Sequence, residues 1–318
     1  MHSDQRVLSI DTLRDRPRGF PIRSLRREVA SFHNRSEGPS CRLLCRRYEL
    51  NEKIGSGGMG EIYSAIDKES STRVAVKIAP ERIPSEISMR VMEKEARALS
   101  NLRHNGIVLL LGEDISEHDG RSFLVLELIE GKTLGDILKD RGRLPFLEVK
   151  PIMLQLCDAL QAVHDALMIH RDVKPANIMV LPGQPASKIK LIDFGIVLFT
   201  DHLGRNLEFL EPGIVAGTPF YVPPEALYES IIDSRADIYG AGIVMYEMLT
   251  STNPFREEGR GFLRAFDLVR SKIPAHPSDV SSDIPRDVGD VVMRAIEKRP
   301  EERYQTMREM SEAIIACR

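Results

Sequence analysis

The sequence predicts an α+β protein of two lobes, a small antiparallel β lobe with one main helix followed by a larger, mainly helical lobe. Three observations predict it. From Tyr48 to Leu128, short runs rich in β-branched and aromatic residues alternate with turn residues, as hairpin-connected strands do. From Thr133 onward apolar residues recur at helical spacing. The change falls once, at Glu130-Gly131, and no repeat of roughly 20–50 residues runs through the chain, so the pattern is two successive lobes rather than an array.

Residues 1–47 carry 11 Arg, no Lys and 5 acids, with Pro17, Gly19, Pro21, Gly38 and Pro39 as breakers and no sustained apolar period. They read as a basic, mostly disordered N-terminal arm with a short helix near residues 24–32. Ordered sequence is expected from Tyr48, with strands over 48–54, 61–67 and 73–78. A helix follows over about 85–102, with Met92, Glu95, Leu99 and Leu102 on one face, and then strands over 107–111 and 122–128. That makes five strands and one helix. Beyond them, helices are expected over 133–141, over 148–167 with Ile152, Leu156, Leu160 and Val163 inward, over 235–249, and several times more before Cys317.

With 42% hydrophobic and 29% charged residues, the 318-residue chain has the composition of a globular protein with a sizeable core. The net charge of -3 hides an asymmetry: the arm carries +6 and residues 48–318 carry -9, so the body is not built as a nucleic-acid footprint. Four scattered cysteines are too few for a disulfide framework and suit a reducing cytosol, so a cytoplasmic location is expected. Cys41 and Cys45 lack a companion His or second Cys pair and read as thiols rather than a metal site. The most apolar stretch, 238–249, is interrupted by Tyr239, Gly240 and Glu247 and is shorter than a bilayer requires, so it reads as a buried helix. Neither a secretory signal nor a transit peptide is expected.

Gly55-Ser56-Gly57-Gly58-Met59-Gly60 is a GxGxxG, a pattern shared with dinucleotide-binding folds. There the glycines lead from strand into helix. Here Glu61-Ile62-Tyr63 continues as strand and Val74-Ala75-Val76-Lys77 makes another, so the glycines form a hairpin tip. Such a tip either lays backbone N–H groups over phosphates or closes a hairpin that holds no ligand. Lys77 sits on an apolar strand, where an ammonium needs anionic partners. Glu95, in phase with Leu99 and Leu102, is the carboxylate of choice, and phosphate oxygens would complete the set. The blander alternative has Lys77 reaching water along its stem and Glu95 solvated.

The strongest signal is His170-Arg171-Asp172-Val173-Lys174-Pro175-Ala176-Asn177, with Asp193-Phe194-Gly195 beginning 16 residues after Asn177. At this point the sequence resembles the protein kinase superfamily, in particular the bacterial members of its eukaryotic-type (Hanks-type) serine/threonine branch. The resemblance runs from about Tyr48 to the C-terminus and rests on several independent motifs in order. It implies a bilobal protein-kinase-like fold, with an N-lobe over 48–126, a hinge over 127–131 and a C-lobe over 132–318. It further implies ATP and Mg²⁺ as cofactors, with Mn²⁺ as an alternative ion, and transfer of the γ-phosphoryl group to Ser or Thr hydroxyls of protein substrates, with autophosphorylation.

By that resemblance Asp172 accepts the substrate hydroxyl proton, Lys174 meets the γ-phosphate, Asn177 and Asp193 hold the metal, and Lys77 paired with Glu95 fixes the α/β-phosphates. Thr218, in Gly217-Thr218-Pro219-Phe220-Tyr221-Val222-Pro223-Pro224-Glu225, orients Asp172 and Lys174. Gly55, Ser56, Gly57, Gly58, Met59 and Gly60 cover the nucleotide together with Ile54, Ile62 and Ala75. Leu126 is the gatekeeper, while Glu127 and Ile129 offer hinge backbone groups to adenine. Glu225 pairs with Arg303, Asp237 anchors the catalytic loop from a buried helix, and His170 and Phe194 are architectural.

The sequence departs from the family pattern in places. Pro223 replaces the usual Ala, and Ile214 stands where many members carry an activating Thr; the only hydroxyl between Gly195 and Gly217 is Thr200, while Arg171 remains. Two readings follow: Glu208 or Glu211 pairs with Arg171, or Phe199, Leu203, Leu207, Phe209 and Leu210 pack as a helix. An exposed loop regulated elsewhere is the alternative. Ala176 and Thr133 replace common acids, so strong Arg-directed specificity is not expected. Arg23-Ser24-Leu25-Arg26-Arg27 is either an autophosphorylation or pseudosubstrate segment or a solvated basic tail. A pseudokinase scaffold would lack one of Lys77, Glu95, Asp172, Asn177 or Asp193, and none is lacking. A small-molecule kinase of the aminoglycoside or choline type does not need the 217–225 segment or the Asp237 helix. No membrane span is expected, so input would come through the arm, a partner or self-association.

Overall fold

The computed structural model describes residues 42–57, 60–81, 85–183, 188–202, 206–207, 217–227, 232–257 and 262–318. The N-lobe is an antiparallel sheet of β1 (Arg42–Leu44), β2 (Tyr48–Gly57), β3 (Gly60–Asp67), β4 (Thr72–Ile78), β5 (Leu110–Ile115) and β6 (Ser122–Glu127), in the order β1-β2-β3-β4-β6-β5. It starts at Arg42, ahead of the expected Tyr48, and has six strands rather than five. Burial explains the extra strand: Leu44 joins Tyr48, Leu50, Val74, Val76, Phe123 and Val125 in one apolar cluster, and Arg47 forks onto Asp67 at 2.8 and 2.7 Å. The Cys45 thiol donates to Ile115 O at 3.4 Å, so the two edges of the sheet approach and the sheet curls. Residues 1–41, with Cys41 and the Arg23–Arg27 motif, lie outside the described residues.

The helix α1 (Ser85–Ser100) packs Met92, Ala96 and Leu99 with Ala75, Leu124 and Leu126 of the sheet. The strand expected over 107–111 is shifted, because Ile107 and Val108 are drawn into the core of the second lobe. There Val108 N–H donates to Leu191 O at 3.0 Å and Leu191 N–H to Gly106 O at 2.7 Å. This connection thus straps the first lobe onto the second.

In the C-lobe a short β7 (Lys132–Thr133) leads into α2 (Leu134–Arg141), whose first turn is capped by Thr133 Oγ1 accepting from Asp136 N–H at 3.0 Å. The helix α3 (Phe146–Asp165) buries Val149, Ile152, Met153, Leu156, Leu160 and Val163. Two small sheets follow: β7 with β9 (Ile178–Leu181) and β10 (Lys188–Leu191), and β8 (Met168–Ile169) with β11 (Leu198–Phe199). Helices α4 (Arg235–Thr250), α5 (Phe262–Ser271), α6 (Pro277–Val280), α7 (Arg286–Ala295) and α8 (Met307–Ala316) complete the lobe. The apolar stretch 238–249 lies within α4, which is buried on all sides, each large side chain contributing about 1.5–3 kcal/mol. Among the described residues no helix is long and apolar enough to cross a membrane.

Candidate active site

Lys77 stands on β4 between Ile62 of β3 and Leu124 of β6, so the sheet fixes its position. Its Nζ lies 2.8 and 2.7 Å from the two oxygens of Glu95, on α1, and 3.0 Å from Asp193 Oδ1 of the C-lobe. The Lys77 and Glu95 side chains are only 6% and 1% exposed, which rules out a solvated pair. Burial pulls the Lys77 pKa down, but the charges of Glu95 and Asp193 outweigh it and raise it above the ordinary lysine value. Burial raises the Glu95 pKa, so its charge depends on Lys77. For Asp193 burial again opposes ionisation, and the Lys77 charge prevails and lowers the pKa.

The catalytic loop brings its polar groups onto Asp172. Lys174 Nζ donates to Asp172 Oδ2 at 2.6 Å, Asn177 Nδ2 to the same oxygen at 2.9 Å, and Thr218 Oγ1 to Asp172 Oδ1 at 3.2 Å. Lys174 Nζ also donates to Thr218 Oγ1 at 2.8 Å. Asn177 Nδ2 reaches Asp172 O at 2.9 Å, which ties the short 3₁₀ turn Pro175–Asn177 to Asp172. Arg171 and Asp193 both adopt left-handed backbone, at φ 68° and 66°, a conformation non-glycine residues rarely hold without support from their surroundings.

That support is visible. Asp237 on α4 accepts from His170 N–H and Arg171 N–H at 2.8 Å each and from His164 Nε2 at 2.8 Å. Its pKa is lowered, because burial is outweighed by the hydrogen bonds from His164 and the His170 N–H. His170 is fully buried, packs edge-on to Phe194 at 4.7 Å, and has its pKa lowered by burial. Its Nδ1 accepts from Asp172 N–H at 3.3 Å. Below the site, Glu225 takes a fork from Arg303 at 2.7 and 2.6 Å, and Arg303 also donates to the carbonyls of Glu297, Lys298 and Arg235.

The glycine-rich hairpin has Gly57 opposite Gly60, while Gly58 and Met59 lie outside the described residues. Gly60 has φ 137°, and a Cβ there would sit 2.3 Å from Ile78 O, so only glycine fits. Ser56 pairs with Glu61 and Gly55 with Ile62; Ile54 is 47% exposed and Ala75 is buried. At the end of β6 Leu126 is buried, and beyond it Ile129 packs against the main core. The Glu127 N–H donates to Leu109 O at 3.0 Å. Glu127 Oε1 in turn accepts from Leu109 N–H at 2.8 Å and from Lys190, which also donates to Ile107 O at 3.2 Å. Sequence reasoning passed over Lys190 and His164, whose partners lie 63 and 73 residues away.

After Asp193 the chain is not helical at Phe199, contrary to one expectation. Phe199 lies in β11 opposite Met168, and Thr200 bridges Asn206. Backbone pairing with β8 wins over the apolar spacing, and Leu207, expected to pack, is 62% exposed. Leu203, Glu208, Phe209, Leu210, Glu211 and Ile214 lie outside the described residues.

An antiparallel lobe that presents a buried lysine–glutamate pair, set over a helical lobe that presents a braced aspartate loop, is the architecture of a phosphotransferase. The chain belongs to the protein kinase family: the protein kinase domain matches residues 48–314. It is 35% identical over 270 residues to a probable serine/threonine-protein kinase of Clostridium perfringens, covering 85% of this chain and 38% of that protein. It is 36% identical over 276 residues to the probable serine/threonine-protein kinase PknB of Corynebacterium glutamicum, covering 85% and 42%. Against the serine/threonine-protein kinase PknA of Mycobacterium tuberculosis it is 32% identical over 279 residues, covering 86% and 62%. The chain thus matches about two fifths of the length of the first two relatives and about three fifths of the third.

Proposed function

We propose that the chain transfers the γ-phosphoryl group of ATP to Ser or Thr hydroxyls of protein substrates, itself included, with Asp172 as the base. The observation that carries this reading is the arrangement around Asp172. Lys174, Asn177 and Thr218 hold its carboxylate at 2.6 to 3.2 Å, as a group that must accept one proton in one direction requires. Lys174 sits beside the base, where it would neutralise charge on the phosphoryl group in flight.

Among the described residues no cluster of three or more acids, His or Cys could hold a metal by protein ligands alone. That suits Mg²⁺, which takes one or two protein oxygens and completes its shell with phosphates and water. Asp193, with its lowered pKa, and Asn177 are the oxygens that would hold it, or Mn²⁺ in its place. Bound there, the ion would neutralise charge on the phosphates. Lys77, fixed by Glu95, would orient the α/β-phosphates, and the Gly55–Gly60 hairpin would close over them. A cytoplasmic signalling role is part of this proposal, and the few scattered cysteines support a reducing compartment.

The test is incubation of wild type and Asp172→Ala with labelled ATP and a cell lysate. Label is expected on Ser and Thr with wild type and to fall by at least about a thousandfold with the variant. Equal labelling would refute the assignment.

A further inference from the structure

The helix that carries Glu95 also carries Arg97, an exposed residue in its last turn. The Arg97 guanidinium lies over the ring of Phe199, 4.6 Å from its centroid, and Phe199 belongs to the strand that follows Asp193-Phe194-Gly195. One helix therefore touches the nucleotide lysine through Glu95 and the post-Asp193 segment through Arg97. Phe199 is itself held: β11 pairs with β8 beside the catalytic loop, Leu198 is fully buried against Ile169, Ile232 and Ala236, and Leu207 N–H donates to Phe199 O at 2.9 Å.

The neighbouring residue completes the picture. Thr200 is the only hydroxyl-bearing residue between Gly195 and Gly217. Its side chain does not face solvent: it is 9% exposed, its Oγ1 donates to Leu167 O at 3.1 Å, and its N–H donates to the same carbonyl at 2.9 Å. A phosphoryl group on that oxygen would remove the donor and demand a solvated dianion where the strand is packed, so modification would require β11 to come apart.

We propose that Arg97 and Phe199 are positioning residues that hold α1, and with it the Lys77–Glu95 pair, against the post-Asp193 segment through a cation–π contact, so that the active arrangement needs no phosphate on that segment. The inference rests on the proposed protein kinase activity and deepens it by naming how its site is set. A guanidinium over an aromatic face acts without a modifying enzyme, and its strength at an exposed position corresponds to a population shift of about two- to fivefold.

The experiment compares wild type, Phe199→Tyr, Phe199→Leu, Arg97→Ala and the double variant Arg97→Ala/Phe199→Leu. It uses steady-state transfer to a protein substrate, thermal unfolding, and mass spectrometry of the active enzyme. Phe199→Tyr keeps the aromatic face and is expected to match wild type. Phe199→Leu and Arg97→Ala are expected to lower kcat about two- to fivefold at a similar unfolding temperature, with the double variant no worse than either single one. Thr200→Val is expected to keep activity within about twofold, and active wild type to carry no phosphate at Thr200. Equal kcat in Phe199→Tyr and Phe199→Leu, additive losses in the double variant, or phosphate at Thr200 on which activity depends would each overturn the inference. Wild type that transfers no phosphate at all would instead refute the kinase reading itself.

Discussion

At Lys77 burial and charge act most sharply against each other, and charge wins because two carboxylates face one ammonium. Replacing Lys77 with Met leaves Glu95 buried without its partner. The expected cost is about 3–5 kcal/mol, moderated as Glu95 takes up a proton, together with loss of transfer; urea unfolding and a transfer assay read the two effects separately. Asp237 makes a second prediction, this one about pH. Its folded pKa lies below the ordinary 3.8, so its stabilisation is fully present above 3.8 and is lost as pH falls through the folded value. Wild type is therefore expected to be more stable than Asp237→Asn at pH 7, with the gap narrowing once the pH drops below about 4, as measured by urea unfolding across that range. These residues were legible in the sequence because the chemistry demands their types within short motifs. Lys190 was not, since its partner Glu127 is brought to it only by the fold.

Elements set by local pattern were also legible, and elements set by tertiary pairing were not. The α1 and α3 faces follow from apolar spacing, and the glycine hairpin follows from the strands on either side of it. In contrast, β1 has three residues and β11 has two, too short to show any alternation, and each exists because a neighbouring strand offers it hydrogen bonds. The displaced β5 has the same origin, since Ile107 lies against Leu191 rather than in the sheet. The hairpin gives the prediction at this scale. Gly60→Ala forces a methyl to 2.3 Å from Ile78 O at a backbone angle that L-residues rarely adopt. Separation of β3 from β4 near the phosphate end is expected, with a rise of at least about tenfold in the KM for ATP and a destabilisation of about 1–3 kcal/mol. Thermal unfolding with and without nucleotide checks both.

For the molecule as a whole, two ion pairs add to the 106–108 strap and the Arg97–Phe199 contact in tying the lobes together: Lys77 bridging to Asp193, and Lys190 clasping the carboxylate of Glu127. Removing the second with Lys190→Met is expected to loosen the relation of the lobes without touching the chemistry. The KM for ATP should rise about two- to fivefold while kcat changes less, a split that steady-state kinetics resolves. The two-lobe division itself could be read from one compositional change at Glu130-Gly131, whereas the strap formed by residues 106–108 could not, because its hydrogen bonds run to a strand some 80 residues later. The aspartate beneath the catalytic loop has a consequence in time. The amide protons of His170 and Arg171 both point at Asp237, on the enclosed helix α4. In deuterated solvent they are expected to exchange as slowly as the amides of α4 itself, by global opening, while those of the exposed Ser56 and Gly57 at the end of β2 exchange through local fraying. The loop that houses Asp172 would then keep time with the core, leaving the faster motions to the lobe above it.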